Sequence, residues 1–191
     1  KLLLDNLNKN PNSKAIIFGT PTTIYANTFQ ENLYENGISK NRIITQSCPG
    51  LANIISNDFD GHQASKIINK YVKEVLKKNP INFELPLIVF LGCTHYVYRE
   101  NLFYKSFSLE GYSNLNILNP NYAYAESLRD LIYNEKKDLI CKQNNISLNF
   151  VSPYAIPNQE KETLTKLIKP ISNDTAQALQ NAFICPELLE N

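Results

Sequence analysis

Leu87-Ile88-Val89-Phe90-Leu91-Gly92-Cys93-Thr94-His95-Tyr96 is the stretch on which the reading of the fold turns. Five consecutive apolar residues, with no alternation of polar and apolar positions, suit a central parallel strand covered on both faces. The run ends at a glycine, which lets the backbone turn sharply, and a thiol, a hydroxyl and an imidazole follow at once. In α/β folds, small molecules bind beyond the carboxyl ends of such strands. Spacing alone leaves two readings of this turn open, because cysteine is commonly a small buried hydrophobe and a single histidine a hydrogen-bonded packing residue.

Working outward, further apolar runs alternate with helical patterns. Strands are expected at Lys14 to Phe18, Arg42 to Thr45, Leu115 to Leu118 and Ile146 to Val151. Helices are expected over Thr22 to Tyr34, around Leu51 to Ile55, and over His62 to Lys78, Tyr122 to Tyr133, Gln159 to Ile168 and Asp174 to Phe183. The alternation predicts an α/β protein with largely parallel sheets flanked by helices. The strand-end rule then singles out Gly19 and Thr20, Ser47 and Cys48, and above all Gly92 to His95.

Composition narrows the function. A hydrophobic fraction of 43%, a charged fraction of 19% and a net charge of +1 give no field for nucleic acid or an anionic membrane surface. The run from Leu85 to Leu91 is too short to span a bilayer. Cys48, Cys93, Cys141 and Cys185 lack CxxC spacing and read as free thiols of a reducing cytoplasm. With only His62 and His95 as histidines, no metal is expected. There is no P-loop or pyridoxal phosphate signature, so no cofactor is expected either. The chain opens at Lys1 and contains no Met, and an upstream segment is expected to precede it.

Leu91 to Tyr96 resembles the LGCTHY signature of the glutamate racemases, a family within the cofactor-independent aspartate/glutamate racemases. Phe18 to Ile24 resembles that family's G-T-x-G-T-I element, and Ser47-Cys48-Pro49 its A-C-P element. Asn116 to Ile132 is similar to the strand and helix that return to its first domain. The resemblance implies a two-lobed racemase architecture with the first lobe incomplete, residues 1–112 forming one lobe and residues 113–191 part of a second. It implies that Cys93 exchanges a proton with the substrate α-carbon and that Thr94, His95, Thr20 and Thr23 bind the amino acid. Cys48 matches a family cysteine that is not the acid/base. The implied function is interconversion of L- and D-glutamate by two opposed thiols, supplying D-glutamate for peptidoglycan, and the resemblance also allows a homodimer.

The chain departs from the pattern at Thr22, Ala26 and Phe29, at Val97 and Tyr98, and at Asn119 and Pro120. The family's DSGxGG element and its Cys-Asn-Thr element, which bears the other thiol, do not occur in these residues. This chain alone is therefore expected to be inactive. An aspartate or hydantoin racemase, a cysteine hydrolase pairing Cys93 with a histidine, and a ligand-binding homologue without catalysis are the competing readings.

Overall fold

A computed structural model describes residues 1–135 and 147–189. The chain opens with helix α1 (Leu2–Lys9) and strand β1 (Lys14–Gly19), followed by α2 (Pro21–Ala26), α3 (Thr28–Glu35) and β2 (Ile43–Ser47). Next come α4 (Leu51–Asn57), α5 (His62–Lys78), β3 (Leu87–Leu91), α6 (Glu100–Leu109) and β4 (Leu115–Leu118). The remainder holds α7 (Pro120–Glu135), β5 (Val151–Ser152), α8 (Asn158–Ile168), α9 (Asn173–Gln180) and β6 (Phe183–Ile184). Four strands form one sheet in the order β2-β1-β3-β4, all parallel, while β5 and β6 make a separate parallel pair. The expected α/β class with largely parallel sheets is what the chain adopts.

Strands β1 and β3 lie in the middle of the sheet and are almost completely buried, which is why their sequences are continuously apolar. Their side chains point alternately to the two faces. Ile16, Phe18, Val89 and Leu91 meet the buried faces of α4, α5 and α6. Ala15, Ile17, Ile88 and Phe90 meet Leu3 and Leu7 of α1 and Leu33 of α3. The ring of Phe18 packs edge-on against Phe103 at 5.1 Å and Phe107 at 6.0 Å. On α5, Ala64, Ile68, Tyr71, Val72 and Val75 make the buried stripe, the helical period at which they recur in sequence.

Several expectations need correction. The helix expected over Thr22 to Tyr34 is two helices, because Asn27 has φ 57° and closes α2 before α3 begins. The helix expected to reach Phe183 stops at Gln180, since Phe183 and Ile184 pair with Val151 and Ser152. The strand expected over Ile146 to Val151 is confined to Val151–Ser152 among the described residues. Ile146 and Cys141 lie outside those residues. Helices α1 and α6 were not foreseen. Leu115–Leu118, which a boundary after residue 112 would assign to a second lobe, is the outer strand of the first sheet and pairs with β3.

Candidate active site at the carboxyl edge of the sheet

Because the four strands are parallel, they end along one edge, and the residues that follow them become neighbours. Phe18 is in register with Leu91 and Gly19 with Ser47. The N–H of Gly92 donates to the carbonyl of Phe18 at 2.8 Å, and that of Cys48 to the carbonyl of Gly19 at 2.9 Å. A Cβ at position 92 would lie 2.9 Å from the Phe18 carbonyl oxygen, so the close approach of the two strand ends requires glycine. This contact places Cys93 beside the end of β1, where Thr20 begins α2.

Cys93, Thr94 and His95 form a turn that leads into a 3-10 helix over Tyr96–Arg99. The N–H of Tyr96 donates to the carbonyl of Cys93 at 3.1 Å, and that of Tyr98 to the carbonyl of His95 at 3.2 Å. Tyr96 is fully buried and its hydroxyl donates to the Cys48 carbonyl at 3.4 Å. The turn is thereby tied to the core, while Cys93 and His95 stay half-buried and Thr94 exposed. Cys93 Sγ lies 3.8 Å from His95 Nδ1. An imidazole at that distance can exchange a proton with the thiol, and the thiolate is the reactive form.

At the neighbouring strand end, Thr20 caps α2. Its Oγ1 accepts from the N–H of Thr23 at 3.2 Å and lies 2.9 Å from Thr23 Oγ1, so the two hydroxyls are paired. The structure thus brings Cys93, Thr94 and His95 together on one turn, with Thr20 and Thr23 on the adjoining one. Cys48 sits in the core, 1% exposed. Burial foremost, and then the charges of Glu74 and Cys93, push its thiol far above the usual range. The same burial, helped by Cys48 and Cys93, pushes the Tyr96 phenol up, and burial alone raises that of Tyr98.

One contact at this edge has no signal in the sequence. Asn119, just beyond β4, donates from Nδ2 to Glu100 Oε2 at 2.9 Å and accepts the N–H of Asn121 at 3.0 Å. The strand-end rule applied to Leu118 would have pointed to Asn119, but nothing local points to Glu100. Among the described residues no group of three or more His, Cys, Asp or Glu could hold a metal ion. None of their helices is long and apolar enough to cross a membrane.

No protein-family model matches the chain. It is 31% identical over 100 residues to the glutamate racemase of Leptospira borgpetersenii, a match covering 52% of this chain and 35% of that protein. With the glutamate racemase of Leptospira interrogans it shares 28% over 155 residues, 81% of this chain and 54% of the relative. Among solved structures, the glutamate racemase of Francisella tularensis, in complex with D-glutamate, superposes with a TM-score of 0.64 at 17% identity, covering 87% of this chain and 57% of that one. A Bacillus anthracis glutamate racemase gives 0.63 at 19%, covering 88% and 57%. The chain therefore spans between about a third and just over half of the length of these proteins. Over these stretches of sequence, and in fold, the chain is similar to glutamate racemases.

Proposed function

We propose that the chain carries the Cys93 half of an amino-acid racemase site that interconverts L- and D-glutamate without a cofactor, in the cytoplasm, as a source of D-glutamate for peptidoglycan. The observation that carries this reading is the placement of a half-buried thiol, with an imidazole nitrogen 3.8 Å away, at the sheet edge beside a hydroxyl pair. Racemisation breaks the Cα–H bond on one face and forms a new one on the other, so one acid/base group is needed on each face. As a thiolate, Cys93 takes the proton from its face, the S–H bond forming as the Cα–H bond breaks. The electron pair left behind delocalises into the carboxylate, and an acid on the opposite face returns a proton to the α-carbon.

The α-proton is very weakly acidic, so donors to the substrate carboxylate must be in place before it leaves. Thr20, Thr23 and Thr94 supply hydroxyls for this, and His95 shuttles the proton of Cys93. The opposing acid/base group is not among the residues gathered here. We assign it to polypeptide outside these residues, which would pack on the part of the chain beyond β4 to complete a second lobe.

The test uses the full-length protein and chiral chromatography of both glutamate enantiomers. Wild type should racemise glutamate and, in deuterated water, label the α-position as it does so. The Cys93→Ser variant, shown to be folded by circular dichroism, should lose activity by at least about a thousandfold, because a hydroxyl is a far weaker base than a thiolate. Retention of full activity in the folded variant would remove Cys93 from the mechanism.

A further inference from the structure

Arg99 closes the 3-10 helix that follows the Cys93 turn, and its side chain reaches into the loop between α4 and α5. Its Nη2 donates to the carbonyls of Asp58 and Phe59, the latter at 2.7 Å. The guanidinium lies against Gly61, where φ is 74° and a Cβ would stand 3.1 Å from Nη1, so the loop leaves room for it. The loop is itself anchored. Asp58 Oδ2 accepts the N–H of Ala64 at 2.8 Å, which ties it to the start of α5. From α8, Gln159 donates to the Asn57 carbonyl at 3.2 Å, and Lys166 places Nζ 5.0 Å from the centre of the Phe59 ring.

Residues three apart eclipse one another in a 3-10 helix, so Tyr96 and Arg99 leave the same side. Tyr96 pins the helix to the carbonyl of Cys48, and Arg99 pins it to a second loop. A single pin leaves a short helix free to pivot; a second one stops it. His95, whose carbonyl accepts the N–H of Tyr98 at 3.2 Å, moves with the helix, whereas Cys93 follows Gly92, which is fixed to the end of β1. A pivot would therefore open the 3.8 Å between Cys93 Sγ and His95 Nδ1. Stability alone does not account for the arginine, because its Nε is buried without a partner among the described residues, a cost that an apolar side chain of like length avoids. We propose that Arg99 is a positioning residue, holding this helix so that the His95 imidazole stays against the Cys93 thiol. Its use in catalysis rests on the racemase reading of the site; the positioning itself does not.

The test uses the full-length protein and reads the rate at which iodoacetamide modifies Cys93 by peptide mass spectrometry. Arg99→Met removes the unpartnered donor and leaves no buried carbonyl bare, since that of Asp58 keeps the N–H of Gly61 at 3.2 Å and Phe59 lies at the surface. It should fold, as circular dichroism shows, while its Cys93 reacts about fivefold more slowly. Arg99→Lys, whose ammonium still reaches a carbonyl, should come back to within about twofold of wild type. In His95→Ala protein, Arg99→Met should change the rate no further, because the two substitutions remove one interaction. Should Arg99→Met fail to fold, Arg99→Gln, with one donor group left, replaces it and should slow Cys93 about threefold. In racemisation, Arg99→Met should lower kcat, and the α-deuterium isotope effect should rise for one glutamate enantiomer only, the one whose proton Cys93 takes. Absence of racemisation in the wild type would remove the racemase reading and leave the alkylation result to decide on Arg99. Wild-type alkylation of Cys93 in the folded Arg99 variants, or slowing of equal size with and without His95, would overturn the proposal.

Discussion

Cys48 follows β2 and Cys93 follows β3, the two strands that flank β1 in one sheet, yet their surroundings give them opposite chemistry. Cys48 is enclosed in the core, and its thiol is pushed far up by burial first and by neighbouring negative charge second. Cys93 is half-buried and has an imidazole nitrogen at 3.8 Å. Reaction with an alkylating reagent requires both access and the thiolate. With iodoacetamide at neutral pH, peptide mass spectrometry should find Cys93 modified at least about tenfold faster than Cys48, and faster than the half-buried Cys185, which has no such partner among the described residues. His95→Ala should bring Cys93 down toward the rate of Cys185. Equal modification of Cys48 and Cys93 in the folded chain would contradict the assignment of a reactive and an inert thiol.

Elements differ in how plainly the sequence announces them, and the reason is whether the signal is local. Strands β1, β3 and β4 are legible almost residue for residue, β1 and β3 because a continuous apolar run bounded by polar turns has few other readings, and β4 because Leu115, Ile117 and Leu118 stand out around Asn116. The turn Gly92 to His95 was legible for the same reason, its groups being contiguous. The contact of Asn119 with Glu100 was not, because it exists only once β4 pairs with β3. Helix α6 was overlooked although Phe103 and Phe107, four residues apart, are its buried face. The break at Asn27 has a sharper cause: the helical period runs through it, and only the left-handed backbone, with the Asn27 N–H on the Ile24 carbonyl and its carbonyl accepting from Glu31, separates α2 from α3. Asparagine tolerates that conformation far better than a β-branched residue does. Asn27→Val should therefore destabilise the chain by about 1–2 kcal/mol, while Asn27→Gly should stay near wild type. Urea unfolding followed by circular dichroism distinguishes them, and equal stability of the two variants would show that the left-handed turn is not required.

At the scale of the whole molecule, the sequence shows alternating elements but not which sheet each strand joins, so β4 could be placed only by its partner. The same assembly sets how stability depends on pH. Cys48 and Tyr96 lie in one core between the sheet and α4, α5 and α6, linked by the Tyr96 hydroxyl on the Cys48 carbonyl. Both are pushed up, by burial foremost, from ordinary values of 9.0 and 10.0. Well below pH 9 both groups are protonated whether the chain is folded or not, and their burial leaves stability independent of pH. As the pH rises past the ordinary thiol value, Cys48 ionises in the unfolded chain while the folded chain holds its proton. The unfolded state is therefore favoured, and Tyr96 adds to this above pH 10. Each group contributes a slope approaching about 1.4 kcal/mol per pH unit until its folded-state value is reached. Urea midpoints measured from neutral pH to about pH 11 should accordingly stay level and then fall steeply, the decline beginning near the thiol value. Cys48→Ala loses some packing and starts from lower stability. It should nonetheless fall less steeply between the thiol and phenol values, because the thiol that burial holds protonated only in the folded chain is gone. A level profile in the wild type through this range, or an unchanged slope in Cys48→Ala, would show that the core does not hold these two protons against the solvent.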